Sequence, residues 1–198
     1  MTKLLVATAN RGKLHEIQAL LAGLPLSLVT PADLGLHLEV TETGNTYAVN
    51  AALKATTFAR LSGLLTLADD SGLEVDALNG LPGVRSARFS PIPGATDADR
   101  RQYLLQQLGD KNRPWTAHFH CTVALANPAG EVVYFEGDCP GEIIPTERGD
   151  NGFGYDPIFL LPELGRTMAE LSMAEKNRLS HRSRAIMASI PYLHQRCD

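Results

Sequence analysis

No stretch of this chain is apolar for long enough to span a bilayer, and Met1-Thr2-Lys3 leads straight into a short strand with nothing of an export signal about it. Cytoplasmic residence without a membrane partner is the expectation. Cysteine is scarce. Cys121, Cys139 and Cys197 make no C-x-x-C pair, and their odd number fits a reducing compartment and structural roles rather than a disulfide framework. An excess of positive charge is missing too. With a formal charge of -4 the chain carries no electrostatic footprint for a polyanion, so DNA and RNA are not expected partners, although a small phosphorylated ligand is compatible with this balance. The chain also lacks repeats, low-complexity tracts, G-x-x-x-x-G-K-[ST], G-x-G-x-x-G and G-x-S-x-G. Those absences exclude a P-loop, a dinucleotide fingerprint and a nucleophile elbow around Ser71.

What is present is the composition of a folded protein, 44% hydrophobic and 20% charged over 198 residues, enough for one substantial core or for one domain with a lobe folded onto it. Lys3 to Ala7 reads as a buried strand, and Leu14, Ile17 and Leu21 recur at helical spacing after it. A second strand is expected over Leu26 to Val29, then an alanine-rich helix from about Thr46 to Leu61 stopped by Gly63, then a strand over Leu64 to Ala68. Asn79 to Gly94 holds three prolines and three glycines and reads as an irregular surface segment. Thr96 with Asp99 makes a capping box for a helix through Leu108, with Tyr103, Leu104 and Leu108 facing the core. Thr116 to Ala126 and Glu131 to Gly137 flank Asn127-Pro128-Ala129-Gly130 as an antiparallel hairpin. Ser172 with Glu175 gives another capping box, and Ser180 suits the start of a last helix to about Leu193. The fold class that follows is α/β, a mixed central sheet with flanking helices, in a single domain spanning residues 1–198.

Asp69-Asp70-Ser71-Gly72 directly follows the apolar run of the third strand. Adjacent carboxylates repel and are costly to desolvate, so such a pair persists where a hard cation or a proton-transfer task stabilises it. Asp70 is therefore a candidate metal ligand or general base; the ordinary alternative is a capped turn with Ser71-Gly72 as turn residues. Thr8-Ala9-Asn10-Arg11-Gly12-Lys13 lies between a strand and a helix, where backbone N-H groups, Arg11 and Lys13 favour an anion; alternatively Asn10 merely caps the helix. Tyr47, Asn50 and Lys54 share a helix face, with Glu42 just upstream. A solvated surface is the ordinary account of such a face; a magnesium site shared by Glu42 and Asp70 would give it a function. Gly149 to Pro157 sets Phe153 and Tyr155 among three glycines, offering ring faces to a base beside Asp156, or else a tight structural turn. Lys176, His181 and Arg182 bracket a break between helices. His118-x-His120 lies on one strand face but lacks further zinc ligands at suitable spacing.

Taken in order, Thr8-Ala9-Asn10-x-x-Lys13-x-x-Glu16, Ala68-Asp69-Asp70-Ser71-Gly72-Leu73, Gly152-Phe153-Gly154-Tyr155-Asp156-Pro157 and Glu175-Lys176-Asn177-x-x-Ser180-His181-Arg182 resemble the inosine triphosphate pyrophosphatase family over essentially the whole chain. Further matches fall at Glu42-Thr43-Gly44, Asn50-Ala51, Lys54-Ala55 and Leu81-Pro82-Gly83-Val84-x-Ser86-Ala87-Arg88. The resemblance implies a homodimeric, Mg²⁺-dependent enzyme of two lobes around a substrate cleft. It would split ITP, dITP or XTP between the α and β phosphates, releasing the monophosphate and pyrophosphate and clearing those nucleotides before incorporation into DNA or RNA. By position, Asp70 would be proton acceptor and metal ligand, with Glu42 as the second carboxylate. Thr8, Ala9, Asn10, Arg11, Gly12, Lys13, Lys54 and Ser71 would hold the triphosphate. Phe153, Gly154, Tyr155 and Asp156 would contact base and sugar, and Lys176, His181 and Arg182 the purine edge. Two positions depart from the family pattern, Val49 and Thr41 standing where relatives often carry acids. The rival readings are a nucleotide-binding regulator without turnover, a nucleic-acid-binding protein, and a pyrophosphatase for modified pyrimidine nucleotides.

Overall fold

Leu4 and Val6 point to one side of strand β1 (Thr2–Val6), Leu5 and the following Ala7 point to the other, and all four are buried. A strand apolar on both faces belongs inside a sheet covered by helices on both sides. The computed structural model, which describes residues 2–196, shows that arrangement. Cys197 lies outside the described residues. β1 pairs in parallel with β2 (Leu26–Val29) and with β3 (Leu65–Val75), Leu4 standing opposite Leu28 on one side and Leu65 on the other. With β4 (Trp115–Ala126), β5 (Val132–Ile143), β6 (Phe159–Leu161) and β7 (Arg166–Thr167) the sheet runs β2-β1-β3-β4-β5-β6-β7. β6 is antiparallel to both β5 and β7 while β1 pairs in parallel, so the sheet is mixed.

The chain divides into two compact units: one takes the chain up to Asp70, Cys121–Gly137 and the chain from Arg182 onward, the other Ser71–His120 and Asp138–His181. In the first unit, α1 (Arg11–Leu20) and α5 (His181–His194) bring Ile17, Leu21, Ala185, Ile186 and Leu193 against Leu4, Val6, Leu67, Val123 and Leu125. On the opposite sheet face, α2 (Tyr47–Ser62) sets Ala51, Ala55, Phe58 and Ala59 against Leu5, Ala7, Ala68, Ala124 and Ala126. Small residues on both surfaces let this helix lie close to the strands, which explains its alanine content. The second unit has a single core, in which Leu104 and Leu108 of α3 (Asp97–Leu108) meet Leu73, Val75, Trp115, Phe119, Tyr155 and Phe159. The remaining helix, α4 (Met173–Leu179), starts at the expected Ser172/Glu175 capping box. No helix among the described residues is long and apolar enough to cross a membrane.

Two expected boundaries move. The third strand continues seven residues past Ala68, to Val75, so Asp69 to Gly72 sit inside a strand and the turn reading falls. The second hairpin strand runs to Ile143 instead of Gly137. Within the irregular Asn79 to Gly94 segment, a 3-10 turn over Gly83–Arg88 buries Ser86.

Candidate active site

Strand alternation sends Asp69 and Asp70 to opposite faces of the sheet, and the two carboxylates consequently live in different surroundings. Asp69 follows the direction of Leu67, toward α1 and α5. Its Oδ2 is 3.0 Å from Lys13 Nζ, accepts from Arg182 Nε at 3.0 Å and lies 3.9 Å from the Cys121 thiol. Arg182 is 1% exposed and its other end is held by Glu16, itself buried. Burial alone would raise the Asp69 carboxyl, but Lys13, Arg182 and Lys54 outweigh it and hold the group well below the usual carboxylate range. The same pairing keeps Arg182 charged despite its burial, because Asp69 and Glu16 favour the guanidinium. Asp69 Oδ1 is buried without a hydrogen-bond partner among the described residues.

Asp70 follows Ala68, toward α2, and the balance is reversed. Burial raises its carboxyl above the ordinary range against the opposing pull of Lys54, Lys13 and an Asn50 hydrogen bond, and the negative charge of Glu42 raises it further. Asn50 is fully buried and fixed at both ends, its amide donating to Asp70 Oδ2 at 3.0 Å while its carbonyl accepts from Gly44 N at 2.8 Å. Lys54, one turn further along α2, donates to Glu42 and to the Asp69 carbonyl at 2.7 Å. The expected solvated face of this helix is thus a correction: Tyr47 and Asn50 are buried, and only Lys54 is partly open, at 15% side-chain exposure. Asn50 and Lys54 persist inside because the neighbouring carboxylates and backbone satisfy them.

The loop after β1 behaves as both readings of it allow. Asn10 caps α1, its side chain accepting from Lys13 N at 3.0 Å, while Thr8 to Asn10 stay at the surface and Arg11 is exposed. Thr8 N donates to Val6 O and Asn10 N to Thr8 Oγ1, so with Lys13 N capped the N-H groups of Ala9, Arg11 and Gly12 are those left for an anion. Ser71 follows Asp70 on β3 and is half-buried.

In the second unit, the Gly149 to Pro157 segment is a folded loop rather than an open pair of ring faces. Tyr155 is 4% exposed, lies in the core and donates to the Ser86 carbonyl at 2.9 Å, so its expected face toward a base is not available. Phe153 is half-buried and carries the Lys176 ammonium over its ring at 4.9 Å. Asp156 accepts from Phe153 N at 3.0 Å and from Lys176, closing the turn. Gly152, with φ 76°, has to be glycine: a Cβ there would stand 2.0 Å from Asp156 Oδ2. His181 is 5% exposed and stacks on Phe119 at 4.7 Å. Arg182, expected as an open cation at a purine edge, is instead enclosed by the two carboxylates described above.

His118 and His120 pair separately, with Glu74 at 3.3 Å and with Asp138 at 2.7 Å. Among the described residues no three His, Cys, Asp or Glu side chains converge as a metal cage. The sequence reading missed Asp69 as the hub of the cations. Two acids in tandem with basic residues in the neighbouring motifs were a signal for a hub, but the partner lies 113 positions away.

The family model that matches this chain, over residues 4–192, is that of the Ham1 family. Similar curated proteins include a dITP/XTP pyrophosphatase of Geobacter sulfurreducens, 47% identical over 94% of both chains, and one of Nostoc sp., 50% identical over 96% of this chain and 94% of that one. A solved HAM1 protein from Coxiella burnetii superposes with a TM-score of 0.90 at 40% identity, covering 98% of this chain and all of the other.

Proposed function

The chain belongs to the Ham1 family, and from that premise we propose that it hydrolyses the non-standard purine nucleoside triphosphates ITP, dITP and XTP between the α and β phosphates, giving the monophosphate and pyrophosphate. The relatives' activity names supply the substrate class. The observation that carries the reading in this chain is the contrast between Asp69, held charged among cations, and Asp70, whose carboxyl is raised by burial. A carboxylate shifted upward is a better proton acceptor at neutral pH, so Asp70 takes the proton of an attacking water. Asn50 orients it. Lys13, Lys54, Arg11, Ser71 and the loop from Thr8 to Gly12, through the N-H groups of Ala9, Arg11 and Gly12, bind the triphosphate and offset charge developing on the leaving pyrophosphate.

Glu42 and Asp70 fit Mg²⁺. Both offer only carboxylate oxygen, and the two are close enough for Glu42 to raise the Asp70 carboxyl. When bound, the ion would act as Lewis acid on phosphate oxygens. The unpartnered Asp69 Oδ1 is on the other sheet face and is not part of this donor set. At the base, Phe153 supplies a stacking face, Gly154 and Asp156 shape the loop, and Tyr155 supports it from the core. Lys176 and His181 read the purine edge, while Arg182, enclosed by Asp69 and Glu16, keeps Asp69 charged. Cationic donors suit the O6 acceptor of hypoxanthine or xanthine and are left unpaired by the amino group of adenine. A homodimer in the cytoplasm completes the proposal.

Pyrophosphate release from ITP, XTP, dITP, GTP, ATP and dTTP, with and without Mg²⁺, tests it. Mg²⁺-dependent turnover of the first three in preference to ATP and dTTP is the expected result. Equal rates on all six, or faster turnover of pyrimidines, would defeat it.

A further inference from the structure

The loop that presents Phe153 is anchored by a helix to which the proposed reaction gives no part. Asp97 and Arg101, one turn apart at the start of α3, grip both polar ends of a single residue. Asp97 Oδ2 accepts from Gly154 N at 2.7 Å, and Arg101 Nη1 donates to Gly154 O at 2.8 Å. Gly154 has φ 62°, and a Cβ placed there would meet no atom within 4 Å, so packing around that position does not hold it. A glycine free of packing samples several backbone wells unless hydrogen bonds choose one. The grips are themselves braced. Arg101 makes a forked pair with Glu147, Nε to Oε1 and Nη2 to Oε2 both at 2.8 Å, and Asp97 is paired with Arg100, which also donates to the Ala95 carbonyl at 2.6 Å. After Gly154 the loop is tied elsewhere, Tyr155 to the Ser86 carbonyl and Asp156 to Lys176. Phe153 is held within its own turn, its N donating to Asp156 Oδ2 and its carbonyl accepting from Asp156 N at 3.2 Å, whereas the bonds of Gly154 N and O among the described residues go to α3.

We infer that Asp97 and Arg101 are positioning residues for base selection: they fix the Gly154 peptide, and through it the angle at which the Phe153 ring, with the Lys176 ammonium 4.9 Å above it, meets the base. The inference rests on the proposal that Phe153 to Asp156 contact the base. Stacking tolerates small displacements, but a directed contact between a cation and O6 does not, and misplacement on the order of 1 Å costs up to about 100-fold. Loosening the clamp therefore weakens ITP more than ATP, which has no O6 contact to lose. The chemical step at Asp70 is untouched, so the loss falls on KM rather than kcat.

The test is steady-state kinetics with ITP and ATP for the wild type, Asp97→Ala, Asp97→Asn and Arg101→Lys, with the Tm of each. Asp97→Ala is expected to raise KM for ITP about tenfold and to lower the ITP-to-ATP ratio of kcat/KM about tenfold, with kcat for ITP within about twofold. Asn retains an oxygen acceptor for Gly154 N, so Asp97→Asn restores most of the ratio. Arg101→Lys keeps one donor but loses the fork to Glu147, and its ratio falls between those of the wild type and Asp97→Ala. An unchanged ratio in both Asp97→Ala and Arg101→Lys, whatever happens to Tm, would overturn the inference, as would Asn behaving like Ala. A wild type that does not prefer ITP to ATP would instead overturn the reading of the base site beneath it.

Discussion

At the scale of single residues, the site turns on charges that are largely buried and paired with one another. Asp70→Asn keeps the shape and removes the proton acceptor, so turnover should fall by about 100-fold or more with nucleotide affinity largely retained, as read by single-turnover kinetics beside equilibrium binding. Asn50→Ala removes a hydrogen bond that favours ionised Asp70, leaving burial to act unopposed by it. The acid limb of the kcat/KM profile is then expected at higher pH than in the wild type. Asp69→Asn should cost about 3–5 kcal/mol in urea unfolding at pH 7, because it leaves Arg182 buried with too little negative charge. The Asp69 carboxyl is depressed in the folded state, so its stabilisation is present above the ordinary carboxylate range and fades as pH falls through its folded value. The gap between wild type and Asp69→Asn should therefore narrow below about pH 4. These environments were only partly legible. Asp70, Lys13 and Lys54 stand in recognisable motifs, whereas the links from Arg182 to Glu16 and Asp69 join positions 166 and 113 residues apart, and no local pattern encodes them.

At the scale of elements, the boundaries that have capping chemistry were readable. Asn10, Thr46, Thr96 and Ser172 each cap the helix they were expected to start, because a side-chain acceptor for free N-H groups is a local requirement. Strand ends were less readable. β3 runs through two acids that propensity alone would place in a turn, since tertiary cations offset their burial. Tyr155 was misplaced for a related reason: a tyrosine among glycines reads as exposed until Ser86 is known to receive its hydroxyl. The glycine loops give a graded prediction. Gly154→Ala meets only the cost of a left-handed backbone, about 1–2 kcal/mol. Gly152→Ala adds a collision with Asp156 and should be clearly worse in both stability and KM. Thermal melts of the two variants side by side provide the comparison.

At the scale of the whole molecule, the mixed sheet followed from alternation of strand and helix signals closing on a hairpin, and the observed order adds what local signals do not contain, namely which strands are neighbours. The acidic balance has a consequence for partners. With a net charge of -4, duplex DNA supplied at the phosphate concentration of the substrate should leave ITP turnover unchanged at about 0.15 M salt, a competition assay that would expose any polymer site.

The tandem acids of β3 also set a limit on how this chain can vary. Because adjacent strand residues face opposite ways, sliding β3 by one position would trade the occupants of the two chambers, putting the cation-paired anchor where the proton must be received and the receiver among the cations. One inserted or deleted residue between Leu65 and Ala68 would thus silence the chemistry while leaving every side chain of the machinery in the sequence.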